Sequence, residues 1–254
     1  DHTQWLGASI EEIATEKAGI IKAGVPVVCG RQHAPAKALI RTIAAERGAE
    51  LIETRAWKID QLQAGPYSSH FLLIHEKGNQ DIRCPLAGEH QVENARTAAV
   101  ALQALGLSED QITEGIAKAQ WPGRLERVRT SPDVILDGAH NVAGVAALAN
   151  YIGRFHAGRR VWIIFGVMQD KAVDAMTRLL FPLAQRLILT TPAQARALPA
   201  AEIAQLPAAK NAQVTNSVPE ALSLIAEARP GDVVFVTGSL FLVGEARPLL
   251  LHSR

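Results

Sequence analysis

The chain has 254 residues, 48% of them hydrophobic and 20% charged, with a formal net charge of +1. That is an ordinary globular balance with a real core, and the absence of any Lys/Arg-rich run argues against a nucleic-acid partner. No uninterrupted apolar stretch approaches the roughly 20 residues of a bilayer span and no leader pattern opens the chain, so a cytoplasmic protein with no membrane partner is expected.

The sequence opens on Asp1 rather than Met and runs directly into Asp1-His2-Thr3-Gln4-Trp5-Leu6-Gly7, which leads us to expect an upstream segment. Ser9 and Glu12 form a capping box, and Ile10, Ile13, Ala14, Lys17, Ala18 and Ile21 follow at helical spacing, placing Lys17 in a helix. Val25 to Cys29 reads as a short strand, 34 to 47 as an Ala-rich helix closed by Gly48, and 50–53, 70–75 and 81–86 as strands. Val92, Ala95, Ala99 and Leu102 share one face of a helix from about 89 to 105, and Ser108 caps another that reaches about Ala119. Cys29 and Cys84 sit alone in apolar runs and are expected as buried thiols.

Trp121-Pro122-Gly123-Arg124 breaks the periodicity and marks a domain junction, dividing the chain into 1–121 and 122–254. Beyond it strands (133–136, 160–165, 186–190, 212–215, 232–236) alternate with helices (143–155, 170–180, near 199–206, 218–228). Strands apolar on both faces are those of a buried parallel sheet, so the second half is a doubly wound α/β domain. Ligands in such domains bind beyond the carboxyl ends of the strands, where Asp137-Gly138-Ala139-His140-Asn141, Gly166 and Thr237-Gly238-Ser239 fall.

Several polar groups could carry chemistry. Asp137 to Asn141 places a carboxylate, an imidazole and free backbone N–H groups in a strand-to-helix turn suited to phosphate or carboxylate; an Asx-type cap with a surface histidine is the plainer reading. His90 and Asn94 lie at i and i+4 beside Gln91, able to read an adenine edge or simply to form a solvated face. Arg124 is either a phosphate clamp or a structural salt-bridge partner. Neither His2 nor Lys17 alone signals a metal. No G-x-x-x-x-G-K-[ST], G-x-G-x-x-G, G-x-S-x-G, paired C-x-x-C or H-E-x-x-H occurs, which removes the best support for P-loop, dehydrogenase, hydrolase and zinc readings of this segment alone.

Taken in order, Asp1-His2-Thr3 with Leu6-Gly7, Ile13-Ala14 with Glu16-Lys17-Ala18-Gly19-Ile20, Gly88 with His90-Gln91 and Asn94-Ala95, Pro122-Gly123-Arg124, Asp137-Gly138-Ala139-His140-Asn141 and Val236-Thr237-Gly238-Ser239-Leu240 resemble the folylpolyglutamate synthase and dihydrofolate synthase branch of the Mur ligase superfamily. The resemblance covers essentially the whole chain. It implies the remainder of a Mur-ligase-like ATPase domain over 1–121, its P-loop part lying upstream, followed by a Rossmann-like domain over 122–254. It further implies an ATP- and Mg2+-dependent ligase that joins a folate or dihydropteroate carboxylate to L-glutamate through an acyl phosphate, cytoplasmic and monomeric, with this segment inactive alone.

Residue by residue, the resemblance makes His2 a magnesium ligand and Lys17 a carbamylated lysine that helps hold a second metal ion. It gives Asn94, Arg124 and Asp137 contacts to ATP, and it places His140 and Ser239 around the incoming glutamate and the phosphates. A muropeptide-type ligase of the same superfamily and a nucleotide-binding module without chemistry remain as rival readings.

Overall fold

A computed structural model describes residues 9–76 and 78–252, and the chain divides into two units, residues 1–119 and 120–254. In the first unit the capping box forms as the Ser9–Glu12 spacing requires, opening α1 (Ile10–Ala18), with Lys17 in its last turn. β1 (Val27–Cys29) leads through α2 (Ala34–Glu46) to β2 (Leu51–Glu53), which pairs with β1 in parallel from Val27↔Leu51 to Cys29↔Glu53. Gly48 ends the helix at a φ of +60°, a conformation that glycine adopts without penalty. Ala18, Ile21, Ala44 and Ala49 form a small core beneath these elements.

An antiparallel meander follows: β3 (Lys58–Ala64), β4 (Ser69–His75) and β5 (Gly78–Cys84). β3 escapes the sequence reading because it is an edge strand: Lys58, Asp60, Gln61 and Gln63 face solvent and leave no apolar alternation to detect. One face of the meander, with Phe71, Leu73, Ile82 and Cys84, packs on α3 (Glu89–Ala104) and α4 (Glu109–Ala117) through Val92, Ala95, Ala99, Ile112 and Ile116. Both cysteines are free and buried, and burial raises the pKa of each thiol.

The second unit is a six-stranded sheet in the order β10-β9-β8-β11-β7-β6. β7 (Asp133–Asp137), β8 (Val161–Phe165), β9 (Arg186–Leu189), β10 (Gln213–Val214) and β11 (Val233–Thr237) run parallel. β6 (Glu126–Thr130), absent from the sequence reading because its run of charged residues carries no strand signal, adds an antiparallel edge to β7. The connecting helices are α5 (Val142–Phe155), α6 (Val173–Leu180), the single turn α7 (Ala200–Ile203) and α8 (Val218–Ser223).

A terminal helix, α9 (Leu240–His252), was also not expected: its apolar residues surround the axis instead of lining one side, and Gly244 and Pro248 read as breakers. Period-two alternation decides which helix each strand residue meets. Val134, Leu136, Trp162, Ile164, Val234 and Val236 pack against α8 and α9 through Val218, Ala221, Leu242, Val243 and Ala246. The opposite face turns Phe235 toward Tyr151 of α5, ring centroids 6.3 Å apart, and sets Phe165 edge-on to Phe181, 5.1 Å away. Helices therefore cover both faces, as the doubly wound reading requires.

Candidate active site

Asp137 and Thr237 are partners in the last register position of β7 and β11. From there the chain leaves β7 for α5 on one face and β11 for α9 on the other. Adjacent strands that send their chains to opposite faces leave a crevice between their carboxyl ends, the usual ligand position in an open α/β sheet.

Close backbone packing shapes the floor of that crevice. Gly238 has a φ of +113°, and a Cβ there would lie 2.6 Å from the Gly166 carbonyl oxygen. At Gly138 a Cβ would meet the Leu240 side chain at 2.3 Å. Only glycine lets these turns approach one another so closely.

Asp137 is buried, and its carboxylate already holds two backbone donors: Oδ1 accepts from Ala139 N at 3.0 Å and Oδ2 from Leu125 N at 3.1 Å. Desolvation pushes its pKa up, while the two N–H donors and then the charges of Arg124 and His140 pull it down. The carboxylate thus pins the Arg124 turn to the end of β7 and brings Arg124, Asp137 and His140 into one electrostatic group. His140 Nδ1 donates to the Gly138 carbonyl at 2.8 Å, which leaves Nε2 as the ring nitrogen that can meet a ligand.

Asn141 is the N-cap of α5, accepting from Gly144 N at 2.7 Å, as the Asx-cap reading has it. Ser239, buried at 2% exposure, accepts from Leu242 N at 3.0 Å and caps the first turn of α9. Arg124 is half-buried, and no ion pair to its guanidinium appears among the described residues, unlike the structural salt-bridge partner that was its plainer reading.

In the first unit Gln91 joins the two residues picked out by spacing. Its Oε1 accepts from Asn94 Nδ2 at 3.0 Å, and its Nε2 lies 3.1 Å from His90 Nε2. Gln91 is buried while His90 and Asn94 are exposed, so the inner amide orients the outer one. Lys17 is exposed at the end of α1. His2 lies outside the described residues, and among those described no group of three His, Cys, Asp or Glu side chains converges on a metal. Nor is any described helix long and apolar enough to cross a membrane.

Residues 123–240 match the family described as Mur ligase, glutamate ligase domain, so the second unit is a Mur ligase domain. The dihydrofolate synthase/folylpolyglutamate synthase of Bacillus subtilis is 34% identical over 98% of this chain and 60% of its own length. The Mycobacterium tuberculosis folylpolyglutamate synthase, solved in complex with ADP and AMPPCP, superposes with a TM-score of 0.85 at 29% identity, over 98% of this chain and 61% of that one. The Escherichia coli FolC structure in complex with DHPP and ADP gives a TM-score of 0.83 at 29% identity, covering 98% and 59%. The chain belongs to the folylpolyglutamate synthase and dihydrofolate synthase family, and it spans about three fifths of the length of these relatives.

Proposed function

We propose that this chain supplies the carboxyl-terminal part of an ATP-dependent ligase that joins a folate or dihydropteroate carboxylate to L-glutamate, in the cytoplasm and as a monomer. The observation that carries the reading is the crevice at the Asp137↔Thr237 register position, where the charges of Arg124 and His140 act on the buried Asp137 carboxylate and Ser239 follows the end of β11. Relatives solved with ADP or AMPPCP support ATP as a substrate, and a relative described by its folate substrate supports a folate acid as the other.

In this reading the acceptor carboxylate attacks the γ-phosphate of ATP, giving an acyl phosphate and ADP, and the glutamate amine then displaces phosphate to form the amide. Arg124 holds the phosphates by bidentate hydrogen bonds, Asp137 contacts the nucleoside, the Ser239 hydroxyl donates a hydrogen bond to a phosphate oxygen, and Asn94 is proposed as a further ATP contact. His140, with Nδ1 committed to Gly138, takes the proton released as the amine attacks at Nε2. Lys17 is exposed, and its carbamate would help hold a second metal ion by hard oxygen donors, beside a magnesium ion that His2 would ligate. When bound, that ion neutralises phosphate charge.

The sequence contains no Gly-Lys pair, so residues 1–254 alone are expected to show no glutamate ligation. In the product of the whole gene, Arg124→Ala should raise the ATP concentration needed for half-maximal rate about tenfold. Lys17→Ala should lose activity that short-chain carboxylates partly restore. An unchanged ATP requirement together with no restoration would remove the phosphate and metal assignments.

A further inference from the structure

Arg124 sits between two residues with left-handed backbone, Gly123 at a φ of +72° and Leu125 at +47°. A leucine there is strained by roughly 1 kcal/mol or more, so the surroundings must hold the turn in place. Three hydrogen bonds do so, beside the Arg124 N–H that donates to the Trp121 carbonyl at 3.3 Å within the turn. Gly138 N donates to Gly123 O at 2.8 Å, Leu125 N to Asp137 Oδ2 at 3.1 Å, and Gly123 N to Glu126 Oε2 at 2.9 Å.

Glu126 is in turn fixed from α9: Arg247 Nε lies 3.0 Å from both carboxylate oxygens, and Nη2 lies 2.9 Å from Oε1. The turn also packs directly on that helix, since a Cβ at Gly123 would lie 2.8 Å from Val243 Cγ1. Ser239 caps the same helix. One rigid element thus sets the positions of both Ser239 and the Arg124 turn.

We infer that Glu126, anchored by Arg247, is a positioning residue for Arg124, fixing where its guanidinium meets the phosphates of a nucleotide. The inference rests on the phosphate-binding role proposed for Arg124. A guanidinium held in place before binding loses less freedom when the phosphate arrives. Loosening the Gly123 amide spreads the side chain over more positions, which weakens phosphate binding and leaves nucleoside binding unchanged.

The test is calorimetric titration of the product of the whole gene with ATP and, separately, with adenosine. Arg124→Ala is expected to weaken ATP about tenfold and adenosine not at all. Glu126→Ala should reproduce most of that loss, Arg247→Met a smaller part, and the Arg124→Ala/Glu126→Ala double variant should bind no more weakly than Arg124→Ala.

The reversed pair Glu126→Arg/Arg247→Glu should recover the melting temperature without ATP affinity, because residue 126 can then no longer accept from Gly123 N. Wild-type ATP affinity in Glu126→Ala, fully additive losses, or recovery of affinity by the reversed pair would overturn the inference while leaving Arg124 its role. An ATP affinity indifferent to Arg124→Ala, or no ATP uptake by the unaltered protein, would remove that role and the inference with it.

Discussion

Asp137, Arg124 and His140 were legible in the sequence because each belongs to a local turn whose chemistry is written in consecutive residues: aspartate, glycine and asparagine between a strand and a helix, or glycine beside proline. Glu126 and Arg247 were not. They lie 121 residues apart and meet only because α9 folds back along β6 and β7, so no local pattern marks either. Gln91 falls between these cases, since helical spacing placed it beside His90 and Asn94 but could not show that it is the buried link between them.

A second buried titratable group gives a test that needs no ligand. His156 is 2% exposed, its ring edge-on to Phe235 and its Nε2 3.4 Å from the Tyr151 hydroxyl. Desolvation first, and then the charge of Arg159, push its pKa from 6.5 down to about 4, against a smaller opposing pull from Asp133. The unfolded chain therefore binds a proton between those values that the folded chain refuses. The stability from this site is complete above about pH 6.5 and is lost as pH falls toward 4, by about 3 kcal/mol at most. Urea denaturation at pH 4.5 and 7.5 should show a pH-dependent loss that is about 2 kcal/mol smaller in His156→Phe. Equal losses in the two proteins would contradict the assignment.

Among the elements, those whose burial shows as a regular apolar pattern in the sequence were readable and those without such a pattern were not. β7, β8 and β11 are buried throughout and stand out as apolar runs; β3 and β6 expose charge along an edge, and α9 is apolar on several sides. Glycines within the elements separate the same way. A Cβ added at Gly153, on the exposed side of α5, would have no neighbouring atom within 4 Å, so Gly153→Ala should stabilise by about 0.5 to 1 kcal/mol. Gly238→Ala should destabilise by about 3 kcal/mol, because the new methyl meets the Gly166 carbonyl and the backbone is left-handed. Chemical denaturation of the two variants should move in opposite directions, and a neutral Gly238→Ala would show that the strand ends do not pack as described.

For the whole molecule, the alternation of buried strands and helices made the doubly wound half readable, and the order of short motifs pointed to the family that the relatives then showed. The meander was read only in part, because its outer strand depends on a neighbour for its structure and carries little pattern of its own. The reading of function depends most on the crevice between β7 and β11 acting in ATP-driven amide formation. Its most direct test is ADP release by the product of the whole gene, with a reduced folate or dihydropteroate and glutamate supplied separately and together. The account predicts sustained, multiple-turnover release only when both are present, with Arg124→Ala needing about tenfold more ATP. Release that ignores glutamate, or that responds to UDP-linked peptides instead of folates, would contradict it.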